Sequence, residues 1–219
     1  MTSNKNIIRL VFFLLILFII PFVLEYIGIN FGAPLGVRYF YLKEFLPQIF
    51  GLPLVILLFW VIFIYIGYSL TNSIFTYFFK ENYNDILKKN LNIIFLSLLD
   101  GFIVLTFDIF IDPVAVKFGL WRWENFYFSY FGVPIGNFVG WYIIATTTTL
   151  FLRSLDLIFS VEINKKWLNL VPYVYIFIEF LLFFITFFLH SIDSAVMSLI
   201  ICSPINIIIF VKLFEKVKN

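Results

Sequence analysis

Apolar residues run through this chain in blocks too long for a soluble helix and too continuous for an amphipathic face. Crossing the hydrocarbon core of a bilayer takes about 20 mostly apolar residues. Six segments reach that length, roughly 7–27, 47–72, 91–112, 134–155, 170–190 and 194–213. The second has no charged residue between Glu44 and Lys80, and the fourth has none between Glu124 and Arg153. Asp100, Asp108 and Glu179 interrupt the third and fifth, which are otherwise strongly apolar. No repeat or linker divides the chain, so the pattern predicts a single all-α domain over residues 1–219, a polytopic membrane bundle of six transmembrane helices. The opening MTSNKNIIRL and its apolar run superficially resemble a signal peptide. They lack a small-residue cleavage site and lead straight into Pro21, Glu25 and Tyr26, so an uncleaved first span is expected.

Cationic side chains orient the bundle. With a cytoplasmic N-terminus, the inner segments carry Lys5, Arg9, Lys80, Lys88, Lys89, Arg153, Lys165, Lys166, Lys212, Lys216 and Lys218. The outer loops keep Arg38, Lys43, Lys117 and Arg122. Eleven against four places both termini in the cytoplasm and predicts a multi-pass protein of the cell membrane. The outer loops, about 28–46 and 113–133, are rich in Gly, Pro and aromatics and too polar to cross. They are expected to lie in the interface or fold back over the bundle, where Trp121, Trp123, Tyr127 and Tyr130 are at home.

Composition narrows the chemistry. With 63% hydrophobic and 13% charged residues, a soluble domain is excluded as a class. The 32 Phe and 22% aromatic content exceed what a span needs, which fits either a pocket for a long apolar ligand or compositional drift. The single Cys202 allows no internal disulfide and no cysteine metal site, and the lone His190 builds no histidine cluster. No metal or other cofactor is expected. A net charge of +2 is too small to suggest a nucleic-acid partner.

The stretch from Asp108 to Trp141 concentrates what remains. Acidic groups inside a hydrocarbon slab are expensive and are functional candidates by default. Asp108 and Asp112, four residues apart, neighbour each other on one helical face, and Asp100 lies two turns deeper on the same broad face. Two acids that close in a low dielectric do not comfortably both ionise, so one is expected as proton donor and the other as base. Two alternatives stand beside this. Asp112 before Pro113 has a second reading as the N-cap of a short interfacial helix. Glu25, the third acid at this depth, reads either as part of the site or as the ion-pair partner of Arg38. Glu179 is expected to bond a neighbouring helix such as Thr146–Thr149, and His190 to be an interface residue. The threonine run itself is expected to bond carbonyls one turn earlier.

In GVPIGNFVGW, Pro134 ends an extended segment and starts a helix, and Gly136 and Gly140 form a small-xxx-small face for a close helix approach. That aims Asn137 and Trp141 inward. The first outer loop echoes the pattern with FGAPLG, and with GLP ahead of a span containing Trp60. The candidate site therefore comprises the acids Asp108, Asp112 and Glu25 with a wall of Trp121, Trp123, Tyr130, Asn137, Trp141 and Trp60.

At these residues the chain resembles the carotenoid-biosynthesis hydratases, integral membrane proteins of the bisanhydrobacterioruberin and gamma-carotene hydratase type. The elements that carry the resemblance are EYIGINFGAPLG with the Tyr39–Tyr41 pair, GLPLVILLFW, DIFIDPVAVKFGLWRWE and YFGVPIGNFVGW, covering most of residues 25 to 141. The last 60 or so residues match only as apolar spans. What the resemblance implies is hydration of the terminal isopropylidene double bond of an acyclic carotenoid, within the bilayer and without cofactor. Other carotenoid-pathway membrane enzymes are then possible partners. A cyclase would use the same protonation without adding water. A small transporter or assembly protein would use buried acids to carry protons or hold helices. A polyprenyl transferase would need a basic diphosphate cradle beside its metal-binding acids, which Asp108 and Asp112 lack.

Overall fold

The computed structural model describes residues 2–34, 36–42, 47–80, 82–88, 92–124, 127–159 and 164–218, so Lys43 and Lys89 of the charge count lie outside the described residues. Long helices α1 (Thr2–Phe31), α2 (Leu54–Phe79), α4 (Asn92–Lys117), α5 (Ile135–Ile158), α6 (Lys165–Leu189) and α7 (Ile192–Lys218) form a bundle, with a one-turn helix α3 (Tyr83–Leu87) between α2 and α4. All six long helices have the length and apolar character to cross a membrane, and the protein is a multi-pass membrane protein. At one end of the bundle lie short antiparallel pairs. Strand β1 (Tyr39–Tyr41) pairs with β4 (Trp121–Trp123), β2 (Gln48–Ile49) with β3 (Leu52–Pro53), and β5 (Ser129–Tyr130) with β6 (Val133–Pro134).

Helix α4 is the axis of the packing, touching α2, α5, α6 and α7. Its most extensive contact, with α5, is allowed by Gly101, where a Cβ would overlap Thr146 Oγ1 and come within 3.0 Å of the Tyr142 carbonyl oxygen. Gly67 of α2 does the same against Asp100 and Val104 of α4. These glycines, rather than a Gly136/Gly140 face, bring the helices together. What meets Gly136 is loop backbone, because a Cβ on Gly36 would stand 3.0 Å from the Gly136 Cα.

Helix α4 also runs unbroken through Asp112 and Pro113, so Asp112 does not cap a new helix. A proline inside a helix removes the N–H that its own i−4 carbonyl needs, and in a membrane no water replaces it. Here hydroxyls do. Pro113 frees the Ile109 carbonyl, which accepts from Ser198 Oγ at 3.1 Å. Pro172 frees the Leu168 carbonyl, which accepts from Ser73 Oγ of α2. Pro204 frees the Ile200 carbonyl, which accepts from Ser203 Oγ at 2.7 Å. Thr148 likewise bonds the Ile144 carbonyl one turn earlier at 2.7 Å, as its sequence position suggests.

Two units of the bundle, α1 with α2 and α4 with α5, are built alike. Phe50–Gly51 and Phe131–Gly132 turn their hairpins with positive φ at both residues (51° and 83°, 46° and 86°), the geometry of a type I′ turn. Each hairpin closes on a proline that starts the next long helix. Trp60 and Trp141, nine residues past Gly51 and Gly132, stack at 4.0 Å. Twelve residues further, Asn72 Oδ1 accepts from Arg153 Nη1 at 2.8 Å. Glu25 and Asp112 each stand six residues before another Phe-Gly pair, Phe31–Gly32 and Phe118–Gly119. With β1 antiparallel to β4 around Phe40 and Arg122, these pairings relate the two units in a pseudo-two-fold manner. The chain thus carries an internal repeat that its sequence shows only as an echo. Only turn and contact positions are shared, and positions facing lipid are free to vary.

Far from the hairpins, a buried ionic network ties α1, α2, α3, α4 and α5 together. Arg153 donates to both Asp100 oxygens (2.8 and 2.7 Å) and to the Tyr83 hydroxyl (3.3 Å). Asp156 accepts from Arg9 (2.7 Å), Tyr83 (2.8 Å) and Tyr68. Asp100 is therefore a structural partner of Arg153, separate from the other two aspartates of its helix. Breaking a buried pair costs about 3–5 kcal/mol. Asp100→Ala is expected to lower stability by about that amount in thermal unfolding of the purified protein in micelles. A loss under about 1 kcal/mol would show the pair to be solvated.

Candidate functional site

The hairpin end gathers side chains from both halves around one small cavity. Helix α1 brings Glu25, β1 brings Tyr39 and Tyr41, and α2 brings Ile56, Phe59 and Phe63. Helix α4 supplies Ile111 and Asp112, β4 supplies Trp121 and Trp123, and α5 supplies Asn137 and Trp141. The void is about 20 Å³, room for about one water molecule. In a strand, residues two apart face the same side. That is why Tyr39 and Tyr41 both turn inward from β1, and Trp121 and Trp123 from β4, while Phe40 faces out.

Glu25, 2% exposed, accepts three hydrogen bonds. Trp60 Nε1 donates to Oε1 at 2.8 Å, and the Tyr41 hydroxyl (3.1 Å) and the Tyr39 hydroxyl donate to Oε2. The expected ion pair with Arg38 is not formed. Arg38 instead faces Glu124 at 3.7 Å on the surface, since β1 sends it to the side away from Tyr39. Burial and the adjacent Glu25 push both tyrosines well above ordinary phenol pKa values, so they remain protonated donors.

Asp108 and Asp112, four residues apart on α4, are both buried and share one donor. Asn137 Nδ2 donates to Asp108 Oδ2 at 3.2 Å and also to Asp112 Oδ2. The Oδ1 atom of each aspartate is buried without a hydrogen-bond partner. Such atoms are uncommon in a folded protein and call for an explanation. Asp112 reaches the cavity wall, with Asp108 one turn behind it. The aromatic rings enclose this chamber: Trp60 stacks on Trp141, Tyr41 meets Trp121 edge-on, and Tyr39 tilts against Trp123.

Of the residues singled out in the sequence, Glu25, Asp112, Trp121, Trp123, Asn137 and Trp141 line the cavity. Trp60 and Asp108 contact those that do. Tyr130 is placed elsewhere. Its hydroxyl bonds Ser198 Oγ (3.0 Å) and the Ser194 carbonyl (3.4 Å), and its ring packs on Phe131 and Phe138, so β5 pins it to α7. Glu179 is bonded by Asn206 Nδ2 of α7 at 2.9 Å rather than by the threonine run. His190 ends α6, with Nδ1 3.1 Å from Ser191 Oγ. The roles of Tyr39 and Tyr41 as donors to Glu25 went unread, although the Tyr-x-Tyr spacing matches Trp-x-Trp and marks a strand with one aromatic face. Among the described residues, no three His, Cys, Asp or Glu side chains converge as a metal-binding group.

Residues 2–204 match the model of a protein family described as carotenoid biosynthesis protein. No curated protein and no solved structure matches the chain.

The holder of Glu25 can be tested directly. Trp60→Phe keeps an aromatic ring but removes one donor to a buried carboxyl, a loss of about 1–3 kcal/mol. Arg38→Ala removes only a surface ion pair and is expected to cost less than about 1 kcal/mol. Thermal unfolding of the two variants in the same detergent checks the order, and a larger effect from Arg38→Ala would contradict it.

Proposed function

The chain belongs to the carotenoid biosynthesis protein family, and from that premise we propose that it hydrates the terminal isopropylidene double bond of an acyclic carotenoid. The observation that carries the reading is the pair Asp108–Asp112 beside a chamber with room for one water. An alkene in a bilayer is protonated only by an acid that reaches it without a hydration shell. The two bare Oδ1 atoms offer such a place, because no donor from the protein occupies them.

The proton goes to the less substituted alkene carbon and leaves a tertiary carbocation. Trp121, Trp123 and Trp141 line the chamber beside that position, and aromatic rings stabilise a cation by their quadrupole. Water held in the chamber then adds to the cation and gives a tertiary alcohol. The long polyene stays outside in the lipid. Its end group reaches the rim of the chamber at Phe59 and Ile111, the cavity residues on the partly exposed faces of α2 and α4, and the void itself is left to the water. The substrate arrives from the bilayer and the product returns to it, which supports handover between membrane enzymes of one pathway.

A general acid contributes about 10²–10⁴ in rate. Asp108→Asn and Asp112→Asn, expressed in a host that makes an acyclic carotenoid, are each expected to cut the hydroxylated product at least about 100-fold. Chromatography with mass detection reads the outcome. Full product from both variants would remove the proposed acids. A product isomeric with the substrate, made by the unmodified protein, would assign it to cyclisation instead.

A further inference from the structure

We propose that Glu25 is the general base of this hydration, taking the proton from the water that captures the cation, while the aspartate pair supplies the proton to the alkene. This assignment rests on the hydration reading above and divides the work between the two halves of the internal repeat.

The first support is position. Glu25 and Asp112 occupy corresponding places before their Phe-Gly pairs, and both line the one water-sized cavity. Glu25 is bonded to Trp60, which stacks on Trp141 at 4.0 Å, so each half of the repeat brings one ring and one acid to the void. A water in that chamber has a carboxyl from each half within its wall.

The second support is how unlike the two acids' surroundings are. Glu25 accepts from Trp60, Tyr39 and Tyr41. Three donors on one carboxyl favour its ionised form, since bonds to an ionised acceptor are the strong ones. Those donors are neutral, so a negative charge on Glu25 would be spread but not cancelled. It remains available to an oxonium ion. The Asp108–Asp112 pair has one amide donor, Asn137, for two carboxyls, and an Oδ1 atom on each without a donor from another residue. A shared proton fits there. The repeat thus holds one centre short of donors and another rich in them. A purely structural Glu25 would need neither the cavity nor the opposed dyad.

The step balances without an oxidant or reductant. The π bond breaks as a new C–H bond takes the proton from the aspartate pair. A water lone pair then forms the C–O bond, and the O–H bond of the resulting oxonium breaks as its proton passes to a Glu25 oxygen. Afterwards Glu25 holds one proton more and the pair one fewer. Transfer through the water that next fills the chamber restores both.

The division of labour predicts a separation of two readouts. Purified protein in liposomes with lycopene, an acyclic carotenoid bearing two isopropylidene ends, is incubated in D₂O. The unmodified protein is expected to form the deuterated tertiary alcohol. Glu25→Gln is expected to lose at least about 100-fold in alcohol while deuterium still enters the end groups of the recovered hydrocarbon, because protonation and its reversal need only the aspartates. Asp112→Asn is expected to give neither. Alcohol at the unmodified level from Glu25→Gln overturns the assignment, and so does loss of both readouts in a Glu25→Gln protein that unfolds at the unmodified temperature. If Glu25→Gln does not accumulate as folded protein, Glu25→Asp serves instead. A raised ratio of deuterium uptake to alcohol supports the role, and an unchanged ratio removes it. Failure of the unmodified protein to form any alcohol would instead bring down the hydration reading, whatever Glu25 does.

Discussion

Inside a hydrocarbon layer a polar group finds its partner in the protein or not at all. That constraint organises this molecule from end to end. Carbonyls freed by Pro113, Pro172 and Pro204 are met by the hydroxyls of Ser198, Ser73 and Ser203. Charges on Asp100 and Asp156 are met by Arg153 and Arg9. Once those debts are matched, the unmatched atoms that remain are informative, and two of them are the Oδ1 atoms of Asp108 and Asp112.

The two ends of α4 show how the same residue type takes opposite roles. Asp100 sits where α5 presents an arginine and α2 an asparagine, and the result is a neutral, fully bonded network. Asp108 and Asp112 sit two and three turns further along the same helix, where α5 presents only Asn137. No guanidinium reaches them. The first arrangement holds helices together at a depth where separating them would strand a charge. The second leaves acid groups poised beside an aromatic chamber, which is what protonation of an apolar bond requires.

The internal repeat gives that chamber its shape. Two hairpins with the same left-handed Phe-Gly turn aim two helices so that Trp60 and Trp141 meet face to face. Beneath β1 and β4 the aromatic faces of both strands converge on the same void. A duplicated frame would by itself give two equivalent acids. Divergence of their neighbours, with Ile56 at the place that corresponds to Asn137, makes them inequivalent. The unequal donors around Glu25 and Asp112 follow from that single difference together with the tyrosines of the longer first loop.

The sequence by itself determined the six spans, because crossing a bilayer demands a run of apolar residues that no other constraint imitates. It also marked the acids, since each carboxyl in such a run carries a desolvation cost that must serve some purpose. Which carboxyls come together was decided only by tertiary structure. Asp100, Asp108 and Asp112 share a helical face, yet the partner helices separate the first from the other two. Glu25, 83 residues before Asp108 in the chain, reaches the site through strand pairing that local pattern does not report. Arg38 and Tyr39 are adjacent, and only the pleat of β1 settles that the phenol and not the guanidinium turns toward Glu25. Hydrophobic length is a property of the chain, whereas the pairing of polar groups is a property of which helices meet.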